Sequence, residues 1–170
     1  VLGSSQSLEL LEGLQNSGLF IVSAGANVYR YQHLFHDFLK ARLSSDKEKA
    51  RELHLKAAGY YRGRLPETAI YHLMKADQFD EAAQLLEGIG KDLVRLGRFD
   101  ALLERIGELP ENVRDQHPGL YLYLGDVRRL TSDFDEALEW YAVAEERFSR
   151  LGNALGRSNA LRGQAQVYLD

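Results

Sequence analysis

A chain of 170 residues, 45% of them hydrophobic and 27% charged, can bury the core of one to two domains, and it holds no apolar run long enough for a membrane helix. It has no cysteine, which excludes disulfides and thiolate metal sites within it and agrees with a reducing cytoplasm, the expected location. The formal charge of −4 is uneven: residues 1–65 carry nine Lys/Arg against six Asp/Glu, and residues 66–170 carry twelve against nineteen, so direct nucleic-acid binding is not expected of this acidic second part.

Val1 to Ser5 has neither a basic stretch leading into an apolar one nor an initiator Met, as expected of an excised fragment rather than a signal peptide. From Gln6 to Gly18 the pattern is that of an amphipathic helix, with Leu8, Leu10, Leu11 and Leu14 as its stripe and Gly18 as its stop. Phe20-Ile21-Val22-Ser23 and Val28-Tyr29-Arg30-Tyr31 are β-type runs flanking Ala24-Gly25-Ala26-Asn27, which predicts a small hairpin. At Gln32 the period changes to three and four through Leu34, Phe35, Phe38, Leu39 and Leu43, predicting a helix that starts at a polar junction residue, His33. A helix followed by a hairpin fits the end of a winged helix; the simpler alternative is a helix–hairpin cap on a helical array.

Ser45 or Asp46 can cap the next helix, which is expected to run to about Arg62 with Ala50, Leu53, Ala57, Ala58 and Tyr61 facing inward and Gly63 as its end. Pro66 suits a new helix start. Thereafter the chain repeats: Phe79-Asp80, Phe99-Asp100 and Phe134-Asp135 each open a helix with an acidic first turn, favourable at the positive end of its dipole. Glu111 to Gln116, between Leu109-Pro110 and His117-Pro118, reads as an exposed loop. Leu120, Tyr121, Leu124 and Val127 predict a helix paired with the one from Phe134, and a further helix runs from Ala154 to Tyr168. In this pair Tyr121, Leu124-Gly125, Ala137, Tyr141 and Ala144 fall at the spacing of a tetratricopeptide (TPR) repeat, Arg128 stands where an aromatic residue is usual, and Ala165 follows Gly125 by forty positions. Small residues at Gly125, Ala137 and Ala144 let two helices approach closely.

These ordered elements carry a resemblance. Tyr29-Arg30-Tyr31 followed by Gln32-His33-Leu34-Phe35-His36-Asp37-Phe38-Leu39, then His54-Leu55-Lys56-Ala57-Ala58-Gly59-Tyr60-Tyr61 and Ala69-Ile70-Tyr71-His72, resembles the MalT-like group of signal-transduction ATPases with numerous domains. That resemblance implies an all-α chain with a small β-hairpin near its N-terminus. Its parts would be the end of a winged-helix domain at residues 1–45, a linker helix at 46–65 and the TPR-like α-α superhelix of a sensor from 66 to 170. It further implies a regulatory fragment of a transcription regulator in which the repeats bind an inducer or protein partner. The ATPase domain would lie N-terminal to this chain, and ADP or ATP would belong to the intact protein. In plant resistance proteins and apoptosome ATPases a His at this junction, within Met-His-Asp, contacts the ADP β-phosphate; Gln32-His33-Leu34 occupies that place here and makes His33 the candidate nucleotide contact. The other reading of the whole chain is a free-standing TPR-like scaffold with no nucleotide.

The residues themselves offer little catalysis. Gly88-Ile89-Gly90-Lys91 lacks the Ser/Thr and the glycine spacing of a phosphate-binding loop and reads as a bend in a helix. His33 and His36 share a helix face but lack further metal ligands, Asp37 being expected to point elsewhere, and no nucleophile elbow supports a Ser/His/Asp triad. No catalytic or metal residue is expected. Repeat arrays keep a concave face for partners, for which Tyr123, Arg128 and Arg129 are the candidates.

Overall fold

The computed structural model describes residues 7–17, 20–25 and 28–170. Gln6, the stop at Gly18, Ala26 and Asn27, and the side chain of Leu8 lie outside the described residues. Helix α1 (Ser7–Asn16) precedes an antiparallel hairpin of β1 (Ile21–Gly25) and β2 (Val28–Tyr31), and α2 (His33–Ser44) follows directly. Ile21 pairs with Tyr31 and Ser23 with Tyr29, and an irregularity between Ser23 and Gly25 extends β1 beyond its expected end. Phe35 joins this hairpin to α2: its ring stacks on Phe20 at 4.2 Å and meets Tyr31 edge-on at 5.7 Å. Phe20 takes a positive φ of 68°, costly for a bulky residue, while its carbonyl accepts the Gln32 N–H at 2.8 Å.

The expected apolar stripe of α2 is only partly covered. Phe35, Leu39 and Leu43 are half-buried, whereas Leu34 is 87% and Phe38 55% exposed. The hairpin reaches one side of a helix whose apolar residues surround more than half its girth. On α1, likewise, Leu10 and Leu14 are exposed and Leu11 is half-buried.

From α3 (Lys47–Tyr61) onward the chain continues through α4 (Pro66–Lys75), α5 (Phe79–Arg95), α6 (Phe99–Glu108), the one-turn α7 (Glu111–Arg114), α8 (Gly119–Leu130), α9 (Phe134–Arg150) and α10 (Ala154–Val167). Helix α3 packs on α4 and α4 on α5, α5 then receives α6, α7 and α8, and α8, α9 and α10 pack in turn. Asp46 caps α3, its side chain accepting the Lys49 N–H at 3.0 Å, and the Ser45 hydroxyl turns back to the Arg42 carbonyl instead. All three Phe-Asp pairs open helices, and Pro66 occupies the first position of α4. The inward face of α3 is graded: Ala58 is buried, and Ala50, Leu53, Ala57 and Tyr61 are half-buried. Ile70, Leu86, Leu102, Ile106, Leu120 and Val127 form the fully buried spine of the helical array, each worth about 1.5–3 kcal/mol as buried apolar surface.

Four connections share one geometry. Asp77, Gly97, Ser132 and Gly152 adopt φ of 56°, 68°, 63° and 65°. In each case the next residue returns its N–H to a carbonyl five residues back: Gln78 to Leu73, Arg98 to Leu93, Asp133 to Arg128 and Asn153 to Phe148, at 2.8–2.9 Å. This is the left-handed helix stop that satisfies orphan carbonyls. The following residue begins the next helix, so the turn sets both an end and a start. Two of the four left-handed positions, Asp77 and Ser132, are not glycine and carry no helix-stop signal in the sequence.

The Glu111–Gln116 segment corrects the expectation of an exposed loop. It holds α7, and the half-buried Asp115 accepts from Arg147 at 2.7 Å and from Tyr121 at 2.9 Å. Gly88 to Lys91 likewise lie inside an uninterrupted α5, where Gly90 has a packing role: a Cβ there would sit 2.2 Å from the Tyr123 ring. Ala165, the expected repeat counterpart of Gly125, is exposed, and the residue that meets the neighbouring helix is Gly163. Tyr141, 1% exposed, lies between Gly125 and Gly163, either of which would bring a Cβ within 2.5–2.6 Å of its ring. Ala137 and Ala144 on the same helix are fully buried.

Two outcomes follow for stability in urea. Gly125→Leu should cost about 1–3 kcal/mol or more by overpacking against Tyr141, whereas Arg128→Ala, removing a half-exposed ion pair to Glu136, should cost under about 1 kcal/mol. Equal midpoints would contradict this packing. At the turns, Ser132→Gly should stabilise by about 0.5–1 kcal/mol and Gly152→Ala should destabilise by about 1 kcal/mol. Shifts of the same sign would mean that these turns do not share a left-handed stop.

Candidate functional site

Four places bring polar side chains together, the first within one helix turn and the others between separate helices. The first is the start of α2. Gln32, at φ −59° and ψ 146°, offers no side-chain cap, and no acidic residue lies in the first turn. The early backbone N–H groups of α2 therefore have no side-chain cap from Gln32, and the His33 side chain beside them is 97% exposed. Asp37 is within 3.9 Å of His33 and 3.6 Å of His36, so it reaches both imidazoles rather than pointing away as expected. Among the described residues no group of three or more His, Cys, Asp or Glu side chains is arranged to hold a metal ion.

The second place is the joint between α3 and α4. His54 and His72, from separate stretches of the resembling pattern, approach Nδ1 to Nδ1 at 2.8 Å. One ring donates and the other accepts, so the contact requires at least one neutral imidazole. Tyr61 stacks on His72 at 5.8 Å, and Tyr71 meets His54 edge-on at 6.3 Å. Arg51 adds a bond from Nε to the Ala76 carbonyl at the end of α4. Burial lowers the pKa of both histidines, helped by Lys75 near His54 and by His54 itself near His72. Both residues belong to the resembling pattern, but eighteen positions separate them and no local spacing pairs them.

The third is a groove of about 550 Å³ between α5, α8, α9 and α10, lined by Lys91, Tyr123, Asp126, Arg129, Tyr141 and Arg162 among others. It separates the expected partner residues. Tyr123 and Arg129 line it, whereas Arg128 turns to Glu136 and Asp133 at the start of α9. The Tyr123 hydroxyl donates to the Glu87 carbonyl at 2.7 Å, and the Tyr141 hydroxyl donates to Asp126 at 2.7 Å; burial and then these carboxylate neighbours raise both phenol pKa values. Tyr121, on the opposite side of α8, is pushed up to about 12 by burial and by its bond to Asp115.

A further polar clamp holds the α7–α8 connection to α5. His117 reaches Glu87 through Nδ1 and Asp80 through Nε2, both at 3.0 Å, and Glu87 also accepts the Gly119 N–H at 2.8 Å. Burial opposes the imidazolium, but the two carboxylates outweigh it and raise the His117 pKa. Neither Glu87 nor Asp115 had a local signal, because their partners are about thirty residues away.

The two histidine sites have opposite pH signs. His54 and His72 are depressed on folding, so their contribution is present above the unfolded pKa of about 6.5 and is lost as pH falls through the folded values. His117 is raised, so its contribution is present below about 6.5 and is lost as pH rises through its folded value. In urea midpoints measured from pH 5 to 8, His72→Gln should flatten the acid side and His117→Gln the alkaline side. Profiles parallel to wild type would contradict both assignments.

Residues 1–52 match the family described as the MalT winged helix domain. No curated protein and no solved structure matches the chain. The matched stretch takes in the hairpin and the His33 junction, runs past the expected boundary at residue 45 and ends inside α3. The likeness to the MalT winged helix domain is therefore shown for residues 1–52 of the 170, at the N-terminal end of the chain.

Proposed function

We propose that this chain is the regulatory portion of a cytoplasmic signalling ATPase of the transcription-regulator type. In this reading residues 66–170 form a TPR-like sensor that binds an inducer or protein partner, the winged-helix segment holds an ADP-bound resting state, and ATP hydrolysis belongs to a domain outside this chain. The observation that supports it most is the path of α3. This single helix begins within the stretch that matches the MalT winged helix domain and ends docked on α4 through His54 and His72. A helix shared by two parts transmits a rotation of one to the other, because packed helices shift as rigid bodies. Among the described residues no helix is long and apolar enough to cross a membrane.

His33 is the proposed phosphate contact. It occupies the first helical position of α2, where uncapped backbone donors and the positive end of the dipole suit an anion. A bond from the imidazole to the ADP β-phosphate is made only in the closed state, so it biases the equilibrium toward that state.

The test is nucleotide exchange in the intact protein without inducer. A charge-assisted hydrogen bond is worth about 1.5–3 kcal/mol, so His33→Ala should raise the open population about tenfold to a hundredfold. ADP release should quicken accordingly while the repeats stay folded. His36→Ala should leave exchange unchanged. Release from His33→Ala at the wild-type rate would reduce His33 to a junction residue and favour a helical scaffold without nucleotide control.

A further inference from the structure

The groove between α5, α8, α9 and α10 has a charge pattern that the fold does not need. Within an acidic chain it gathers Lys91, Arg129 and Arg162. Lys91 and Arg162 have no ion-pair partner among the described residues, and Arg162 bonds only the Asn159 side-chain oxygen, at 3.1 Å. Arg129 is only 20% exposed, and its buried Nε has no hydrogen-bond partner among the described residues. Two carboxylates share the surroundings. Asp126 is engaged by the Tyr141 hydroxyl, and Asp170 is held between Arg129 and the Gln166 amide, the latter at 3.0 Å.

Asp170 shows what two lining residues, Arg129 and Gln166, accept: a planar carboxylate, one oxygen on a guanidinium and the other on an amide donor. Arg162 and Lys91 add two further cations to the lining, neither of them bonded to Asp170, and a volume of about 550 Å³ suits a small ligand or a short segment. We propose that the groove is a binding site for a ligand with two or more carboxylates, and that Asp170 is an internal competitor that such a ligand displaces from Arg129. The ligand's role as a signal rests on the regulatory reading above. Its binding does not, since the groove lies wholly within this chain and needs no nucleotide.

The experiment is calorimetric titration of this chain with citrate and, separately, with a capped Asp-Glu-Asp-Glu peptide, at constant ionic strength set with NaCl. Saturable one-to-one binding of either probe is expected; citrate alone identifies a free polycarboxylate, and the peptide alone an acidic protein segment. Arg162→Gln should weaken the bound probe at least about tenfold, and Asp170→Asn should tighten it several-fold by removing the competitor. Arg150→Gln, an equal charge change on α9 outside the groove, should leave it unchanged. Circular dichroism of each variant checks that the helices persist. No saturable binding of either probe overturns the site. Equal losses from Arg162→Gln and Arg150→Gln overturn it as well, because binding would then follow net charge alone. Unchanged affinity in Asp170→Asn overturns the competitor.

Discussion

The second half of this molecule depends on the space that two glycines leave for Tyr141. The ring fills the gap between α8 and α10, touching the backbone at Gly125 and Gly163, and its hydroxyl finds Asp126 on the groove side. A buried tyrosine contributes a large apolar area only if its hydroxyl is satisfied. Here one side chain sets the helix separation and orients a carboxylate on the groove wall. Gly90 does the same for Tyr123, bringing α5 close enough to α8 for the Tyr123 hydroxyl to bond the Glu87 carbonyl. Groove and core are thus one construction: the tyrosines that pack the helices also line the surface that a ligand would meet.

Much of the helix order was legible because its signals are local. Phe-Asp pairs, Pro66 and Asp46 act within one turn of themselves, and all mark helix starts. Gly97 and Gly152 announce their turns for the same reason, since glycine enters the left-handed region without steric cost. Asp77 and Ser132 take the same conformation with a Cβ, held by the bond that the next residue makes five positions back. Nothing in their identity reveals this; the recurrence does so only once the turns are seen together.

Sites divide along the same line. His33 was legible as a junction residue because the period changes beside it. The pairing of His54 with His72, the Glu87–His117–Asp80 clamp and the Asp115–Arg147 bond were not, because each joins residues eighteen to thirty-seven positions apart. Gly90 misleads for a related reason: beside Gly88 it looks like helix disruption, while its real neighbour is a ring thirty-three residues on. Arg128 and Arg129 are adjacent in sequence, yet helical rotation sends one to Glu136 and the other to the groove.

The two ends of the chain are organised differently. The hairpin and α2 are gathered about Phe35, with Leu34 and Phe38 left exposed, whereas α4 to α9 share a continuous buried spine. Between them α3 leans on α4 through Ala58, His54 and Arg51 and touches α2 less extensively. This places α3 mechanically with the helices that follow it although it begins within the MalT winged helix match. Native-state amide exchange tests that attachment most directly, because it reports the free energy at which each helix opens. The account predicts that the second half of α3 opens together with α4, at a higher free energy than β1, β2 and α2. Exchange of α3 in step with α2, while α4 remains protected, would contradict it.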